Sequence, residues 1–217
     1  MPSSDQSPPD FDAAFRARFK DLLVWRRDVR RFQTRPLPDG LLDELLALAA
    51  LTPSVGLSQP WRFVLVENDA RRQGVAAMFE RCNAQALEGY RGDRAKLYAS
   101  LRLAGLGEAP VHIAVFADAD TERGHGLGAR TMPQVLDQSV ALAVYTLWLA
   151  ARVHGVGLGW VSILDPEGLA PLLDVPPAWH FIGYLCLGYP LEEGDEPVLQ
   201  TVGWEKRIGT ADYVLKR

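Results

Sequence analysis

Apolar residues recur at helical spacing near the start of the chain, and short unbroken hydrophobic runs follow further on. Phe11, Phe15, Phe19, Leu22 and Leu23 mark a first amphipathic helix. Leu41, Leu42, Leu45, Leu46 and Leu48 mark a second, which opens at Pro38-Asp39 and ends near Thr52-Pro53. Residues 53–60 then form an ordered loop. Runs at 63–66, 111–116, 157–163 and 181–187 read as strands. Residues 133–154 form the longest and most apolar helix, the scaffold of a core, and 166–173 a short one. Residues 118–131, rich in glycine and charge, read as a loop. Residues 70–106 are helical in pattern but polar, with breaks at Gly74, at Gly89-Tyr90 and at Gly92. A segment of that kind packs loosely, which makes it a candidate lid.

Residues 1–9 are polar and proline-containing and read as a tail. Residues 191–217 show little periodicity but carry Trp204, Lys206, Arg207 and Tyr213. An extended arm of that length is stable mainly by wrapping around another surface, such as a second subunit. The order of elements, without repeat or linker, predicts one domain (1–217) with a mixed sheet and helices packed on it.

The 217 residues are 48% hydrophobic and 23% charged, enough for a substantial core. A net charge of −4 argues against a nucleic-acid binder with a basic surface. The two cysteines, Cys82 and Cys186, lie far apart, so neither a disulfide framework nor a zinc site is expected. The start of the chain lacks the pattern of a signal peptide, and Asp137, Gln138, Ser139 and Arg152 interrupt the long apolar helix, excluding a membrane span there. The expectation is a cytoplasmic protein.

Against that background Arg26-Arg27-Asp28-Val29-Arg30-Arg31-Phe32 stands out. Fixed guanidinium groups suit a ligand phosphate, because each offers a planar fork of donors. Asp28 would repel such a phosphate. It must pair with an arginine or face another part of the ligand.

Three separated segments resemble the flavin-dependent nitroreductase fold. Arg26 to Phe32 is similar to its opening motif. Pro53-Ser54-Val55-Gly56-Leu57-Ser58-Gln59-Pro60-Trp61-Arg62-Phe63 is similar to its second. Gly155-Val156-Gly157-Leu158-Gly159-Trp160-Val161-Ser162-Ile163 resembles its glycine-rich strand, and Leu187-Gly188-Tyr189-Pro190 its late strand end. The resemblance implies an α+β fold, a central mixed and mainly antiparallel sheet flanked by helices, in a homodimer with FMN at the interface and an extended C-terminal arm. It implies that Arg26, Arg27 and Arg30 hold the phosphate and pyrimidine edge, with Val29 beside them, and that Arg207 closes on the phosphate. Ser54, Ser58 and Gln59 would contact the ribityl chain or ring, and Leu103 in the lid would face the flavin. Hydroxyls and amides suit a polyol.

Departures from the general family pattern sharpen the reading. Asp28 stands where serine is frequent and Leu57 where asparagine is frequent. The Gly159–Pro166 stretch, Gly126-Leu127-Gly128-Ala129-Arg130-Thr131-Met132-Pro133 and Thr146-Leu147-Trp148-Leu149-Ala150-Ala151 resemble one branch. Its members consume reduced FMN with dioxygen and yield 5,6-dimethylbenzimidazole, the lower ligand of cobalamin, and a four-carbon sugar phosphate. The resemblance then implies FMN as substrate, dioxygen as co-substrate, no metal, and a separate flavin reductase. Asp28 and Ser162 become the catalytic pair. Asp28 would accept or donate a proton at the ribityl carbon nearest the ring, and Ser162 would hydrogen-bond the flavin.

Plainer readings stand beside these. Asp28 could be only an ion-pair partner of Arg27 or Arg31, and Ser162 a strand hydroxyl. Arg31 and Arg35 read as surface charges. His112 reads as packed and hydrogen-bonded, and Trp25, Trp148, Trp160 and Trp179 as core or interface. Gly155, Gly157 and Gly159 precede a strand where a dinucleotide loop follows one, so no nicotinamide fingerprint is present. The competing function is an NAD(P)H-dependent nitroreductase or flavin reductase that keeps its FMN.

Overall fold

In a computed structural model that describes residues 7–217, four strands form one antiparallel sheet. They are β1 (Trp61–Leu65), β2 (Val111–Asp118), β3 (Gly157–Val161) and β4 (Trp179–Gly188), in the order β1-β2-β4-β3. The first six residues of the expected tail lie outside the described residues. The expected mixed character reduces, among the described residues, to one isolated parallel bridge between Asp28 and Leu158. β2 lies inside the sheet and its side chains alternate between two cores. Ile113, Val115 and Ala117 join one, and Ala114 and Phe116 the other. A strand covered on both faces has no polar side to show, which is why it reads as an unbroken apolar run.

Helices α2 (Leu41–Ala49) and α5 (Val135–Val153) cover the first face. Leu45 and Ala49 of α2 meet Val140, Val144, Leu147 and Ala151 of α5, all fully buried. Replacing a leucine such as Leu147 by alanine there costs roughly 2–5 kcal/mol. Helices α3 (Asp69–Leu87) and α6 (Pro166–Leu173) cover the other face through Val75, Met78, Leu169 and Leu173. Helix α3 runs straight through Gly74, which does not break it. A side chain at Gly74 would stand 2.7 Å from Leu172 Cδ1, so the glycine serves the close approach of α6. The real break lies between α3 and α4 (Gly92–Ser100).

Helix α1 (Ala13–Trp25) is capped by Asp12, whose carboxylate accepts from the Phe15 N–H at 2.7 Å. None of its residues is buried, and Phe11, Phe15, Phe19 and Leu23 face solvent in the single chain. The C-terminal stretch expected to be extended carries a helical turn, α7 (Val198–Thr201). It also packs on its own chain: Trp204 meets Tyr90 and Tyr98, and the Arg94 guanidinium lies 4.8 Å from the Trp204 ring centroid. No helix among the described residues is long and apolar enough to cross a membrane.

Candidate active site

Helix α1 ends where the arginine strip begins. The Arg26 N–H donates to the Leu22 carbonyl at 2.9 Å, and the Arg27 guanidinium donates to the carbonyls of Leu23 and Val24. A cation suits that helix end, where unpaired carbonyls gather negative charge. The chain then lies along the free edge of β3. Asp28 bridges Leu158, and the Val29 N–H donates to the Leu158 carbonyl at 3.0 Å. Phe32, fully buried, and the Gln33 N–H bound to the Tyr189 carbonyl at 2.8 Å anchor the far end.

Asp28 is held on both oxygens. Oδ1 accepts from the Trp160 N–H at 3.0 Å and Oδ2 from Arg30 Nε at 2.7 Å. The ion-pair partner is therefore Arg30. The alternatives read from the sequence, Arg27 and Arg31, are engaged elsewhere: Arg27 on the end of α1, and Arg31 with Glu192 at 2.7 Å on the surface. Arg30 also exchanges hydrogen bonds with Arg102, side chain to carbonyl in both directions, each at 3.1 Å. Trp148, read from the sequence as core or interface, does more than fill space. Its indole N–H donates to the Arg27 carbonyl at 3.1 Å, and the Arg26 guanidinium lies 4.6 Å from its ring centroid. Contacts to main-chain carbonyls leave no mark in a residue pattern, so nothing in the sequence pointed to this role.

A cavity of about 550 Å³ opens over the strip, with Arg27, Asp28, Val29 and Arg30 as floor. Ser100, Leu101 and Arg102 form one wall and residues from Glu192 to Val202 the other. Leu103, expected to face the ligand, is half-buried just beyond that wall and is not part of it. A neighbouring cleft of about 180 Å³ brings Arg207 of the C-terminal segment to Arg26, Arg27, Asp28 and Arg30. Burial first, and then Arg26 and Arg207, push the Arg27 pKa down from its ordinary value, with Asp195 opposing. Arg27 Nε is buried without a hydrogen-bond partner. Crowded guanidinium groups with a donor to spare fit a phosphate.

The second motif lies elsewhere. Its loop is fastened to α5 at two points: the Val55 N–H donates to Ser139 Oγ at 3.1 Å, and Thr52 Oγ1 donates to Thr146 Oγ1 at 2.6 Å. Ser54 Oγ accepts from the Gln59 N–H at 2.9 Å, and Gln59 Oε1 accepts from Arg123 at 3.0 Å. Leu57 and Gln59 both sit at positive φ, 56° and 48°, which side chains resist. Ser58 Oγ is buried with no partner. Ser139 and Trp148 lie nine residues apart on α5, about 14 Å at 1.5 Å per residue. Ser58 borders a separate cleft with Arg123 and Arg130, and the two clefts over the arginines are lined by none of Ser54, Ser58 and Gln59.

Ser162 is exposed just past β3, two residues beyond Trp160 and so roughly 7 Å along the strand from the N–H that holds Asp28. No hydrogen bond joins Ser162 to Asp28, but the span is short enough for one planar ligand to border both.

A family model described as the nitroreductase family matches residues 23–189. The chain belongs to the nitroreductase family. Within it, the chain is 50% identical over 199 residues to a 5,6-dimethylbenzimidazole synthase of Rhodospirillum rubrum, covering 92% of this chain and 94% of that protein. It is 43% identical to a protein of the same name from Rhodobacter capsulatus, covering 93% and 97%. Among solved structures of this fold, iodotyrosine deiodinase bound to FMN and 3-iodo-L-tyrosine superposes with a TM-score of 0.67 at 27% identity, over 81% of this chain and 91% of that one. Among the described residues no group of His, Cys, Asp and Glu could hold a metal ion.

Proposed function

We propose that this nitroreductase-family chain is a 5,6-dimethylbenzimidazole synthase that takes reduced FMN as substrate and dioxygen as co-substrate. Its products are 5,6-dimethylbenzimidazole, for the lower ligand of cobalamin, and D-erythrose 4-phosphate. The observation that carries the reading is a carboxylate fixed on both oxygens inside a cavity floored by arginines. A site that only held phosphate has no use for Asp28. The Rhodospirillum and Rhodobacter proteins, similar over most of their length, support the same reading.

Reduced flavin, when bound, supplies electrons to dioxygen. The residues do the rest. Arg26, Arg27 and Arg207 hold the phosphate in the cleft they line together. Arg30 is committed to Asp28 and the Arg102 carbonyl, so it orients the carboxylate and reaches the pyrimidine edge with what remains. Asp28 moves a proton at the ribityl carbon nearest the ring, and Ser162 hydrogen-bonds the ring from the end of β3. Of the expected lid, residues 70–106, α3 is fixed in the core by Val75 and Met78, so the part beyond it acts as the cover that keeps water out, with Leu101 and Arg102 as its contact to the strip.

The second subunit of a homodimer provides Ser54, Ser58 and Gln59. Two features support this: those residues line none of the clefts over the arginines of their own chain, and α1 offers an uncovered row of phenylalanines. A separate reductase supplies the reduced flavin. Mixing the protein with chemically reduced FMN in air tests the reading. Formation of 5,6-dimethylbenzimidazole is expected. Return of all the flavin as oxidised FMN would instead fit an NAD(P)H-dependent nitroreductase or flavin reductase. Gel filtration showing a monomer at micromolar concentration would remove the shared site.

A further inference from the structure

Two glycines of β3 lie against the strip that carries Asp28, and neither has room for a side chain. A Cβ on Gly159 would overlap the carbonyl oxygen of Val29. A Cβ on Gly157 would come nearest to the Val29 side chain, 2.7 Å from Cγ2 and 3.0 Å from Cβ. Neither glycine has a positive φ, so the backbone conformation does not call for glycine at either place. What each position needs is the missing side chain.

We propose that Gly159, seconded by Gly157, is a positioning residue for Asp28. Their bare backbone lets residues 28 and 29 lie flat on the edge of β3. At that distance the Val29 N–H reaches the Leu158 carbonyl and the Trp160 N–H reaches Asp28 Oδ1. The carboxylate is thus placed by main-chain contacts on one side and by Arg30 on the other. A methyl group at Gly159 pushes against main chain, which cannot rotate away, so the strip lifts and Oδ1 leaves the Trp160 N–H. A methyl group at Gly157 pushes against a side chain, which can be shortened. Displacements of about 1 Å at a reacting group cost on the order of 100-fold in rate.

The inference rests on reading Asp28 as the proton-moving group, and the test separates the two. Gly159→Ala, Gly157→Ala, Val29→Ala, both glycine variants combined with Val29→Ala, and Asp28→Asn are each loaded with chemically reduced FMN and opened to air. The quantity read is the fraction of bound flavin that becomes 5,6-dimethylbenzimidazole instead of returning as oxidised FMN. Partial unfolding lowers the amount of bound flavin but leaves that fraction unchanged. Gly159→Ala is expected to lose roughly 10- to 100-fold in this fraction. Gly157→Ala is expected to lose less, and Val29→Ala, which removes both Cγ atoms but keeps Cβ, to restore much of that loss, while Gly159→Ala stays impaired in the double variant. Should Gly159→Ala fail to fold, the Gly157→Ala pair carries the test. Normal conversion by Gly159→Ala with Asp28→Asn inactive overturns the inference alone, as does equal rescue of both glycine variants by Val29→Ala. Normal conversion by Asp28→Asn overturns the reading on which it rests.

Discussion

The arginine strip, residues 26–31, and the loop of residues 54–59 make an instructive pair. Both are irregular, both hang on α5, and each keeps one buried polar atom without a partner, Arg27 Nε and Ser58 Oγ. They differ in how their backbone is held. The strip is relaxed and extended along a sheet edge, whereas the loop holds Leu57 and Gln59 at positive φ. They also border different clefts, Ser58 with Arg123 and Arg130, the strip with the C-terminal segment. Two half-sites lining separate clefts are the observation behind the proposal that a second copy completes the site.

The sharpest test of the strip is Asp28→Asn. It should leave binding of oxidised FMN nearly unchanged and lower product formation by roughly 10²- to 10⁴-fold, the usual worth of a positioned acid or base. Undiminished product in a single-turnover assay would sink the role. Arg27→Ala comes next. Losing a charge-assisted phosphate contact of about 1.5–3 kcal/mol should weaken FMN binding by roughly 10- to 100-fold, readable by fluorescence quenching. If affinity is unaltered, the phosphate lies elsewhere.

The division of the site has its own test. Leu57 is 70% exposed, so Leu57→Glu should fold while placing a carboxylate in the partner's site. Co-expression with Asp28→Asn makes half of the dimers mixed, each with one intact site, so about a quarter of wild-type activity should return. No recovery means that strip and loop serve the same chain. The smallest effect is Leu57→Gly, which removes the strain of positive φ and should raise stability by at most about 1 kcal/mol in a urea titration. A loss of stability would show that Leu57 is held there by packing and not against its preference.

Much of this was legible in the residues, and the failures have physical causes. Helices α1, α2, α5 and α6 and all four strands follow from apolar spacing to within a few residues, because burial imposes that spacing. Gly74 misled, since its value lies in contact with Leu172 and not in local flexibility. The two motifs pointed to one ligand, but a motif does not say which cleft of the fold its residues will line. Trp148 and Trp160 bind the strip through a carbonyl and a main-chain N–H, so the pattern could mark them only as large apolar residues. Asp28 was visible as an anomaly among arginines; that Arg30 is the one that holds it depends on the strand conformation, which brings alternate side chains to the same side.

His112 carries a separate consequence for life in acid. Its ring is sealed in the core beneath α3, with Nδ1 accepting from the Tyr184 hydroxyl at 2.9 Å and Nε2 facing the Ala109 carbonyl at 3.1 Å. Burial first, and then Arg72, pull its pKa from 6.5 down to about 4. The unfolded chain takes up that proton near 6.5 and the folded one only near 4. Stability from this group is therefore whole above pH 6.5 and drains away as the pH falls towards 4, at up to about 1.4 kcal/mol per pH unit. Urea midpoints measured from pH 8 to pH 5 should stay level and then drop, and His112→Asn should flatten the drop. A loss of stability in acid is thus built into the core, away from the arginine strip.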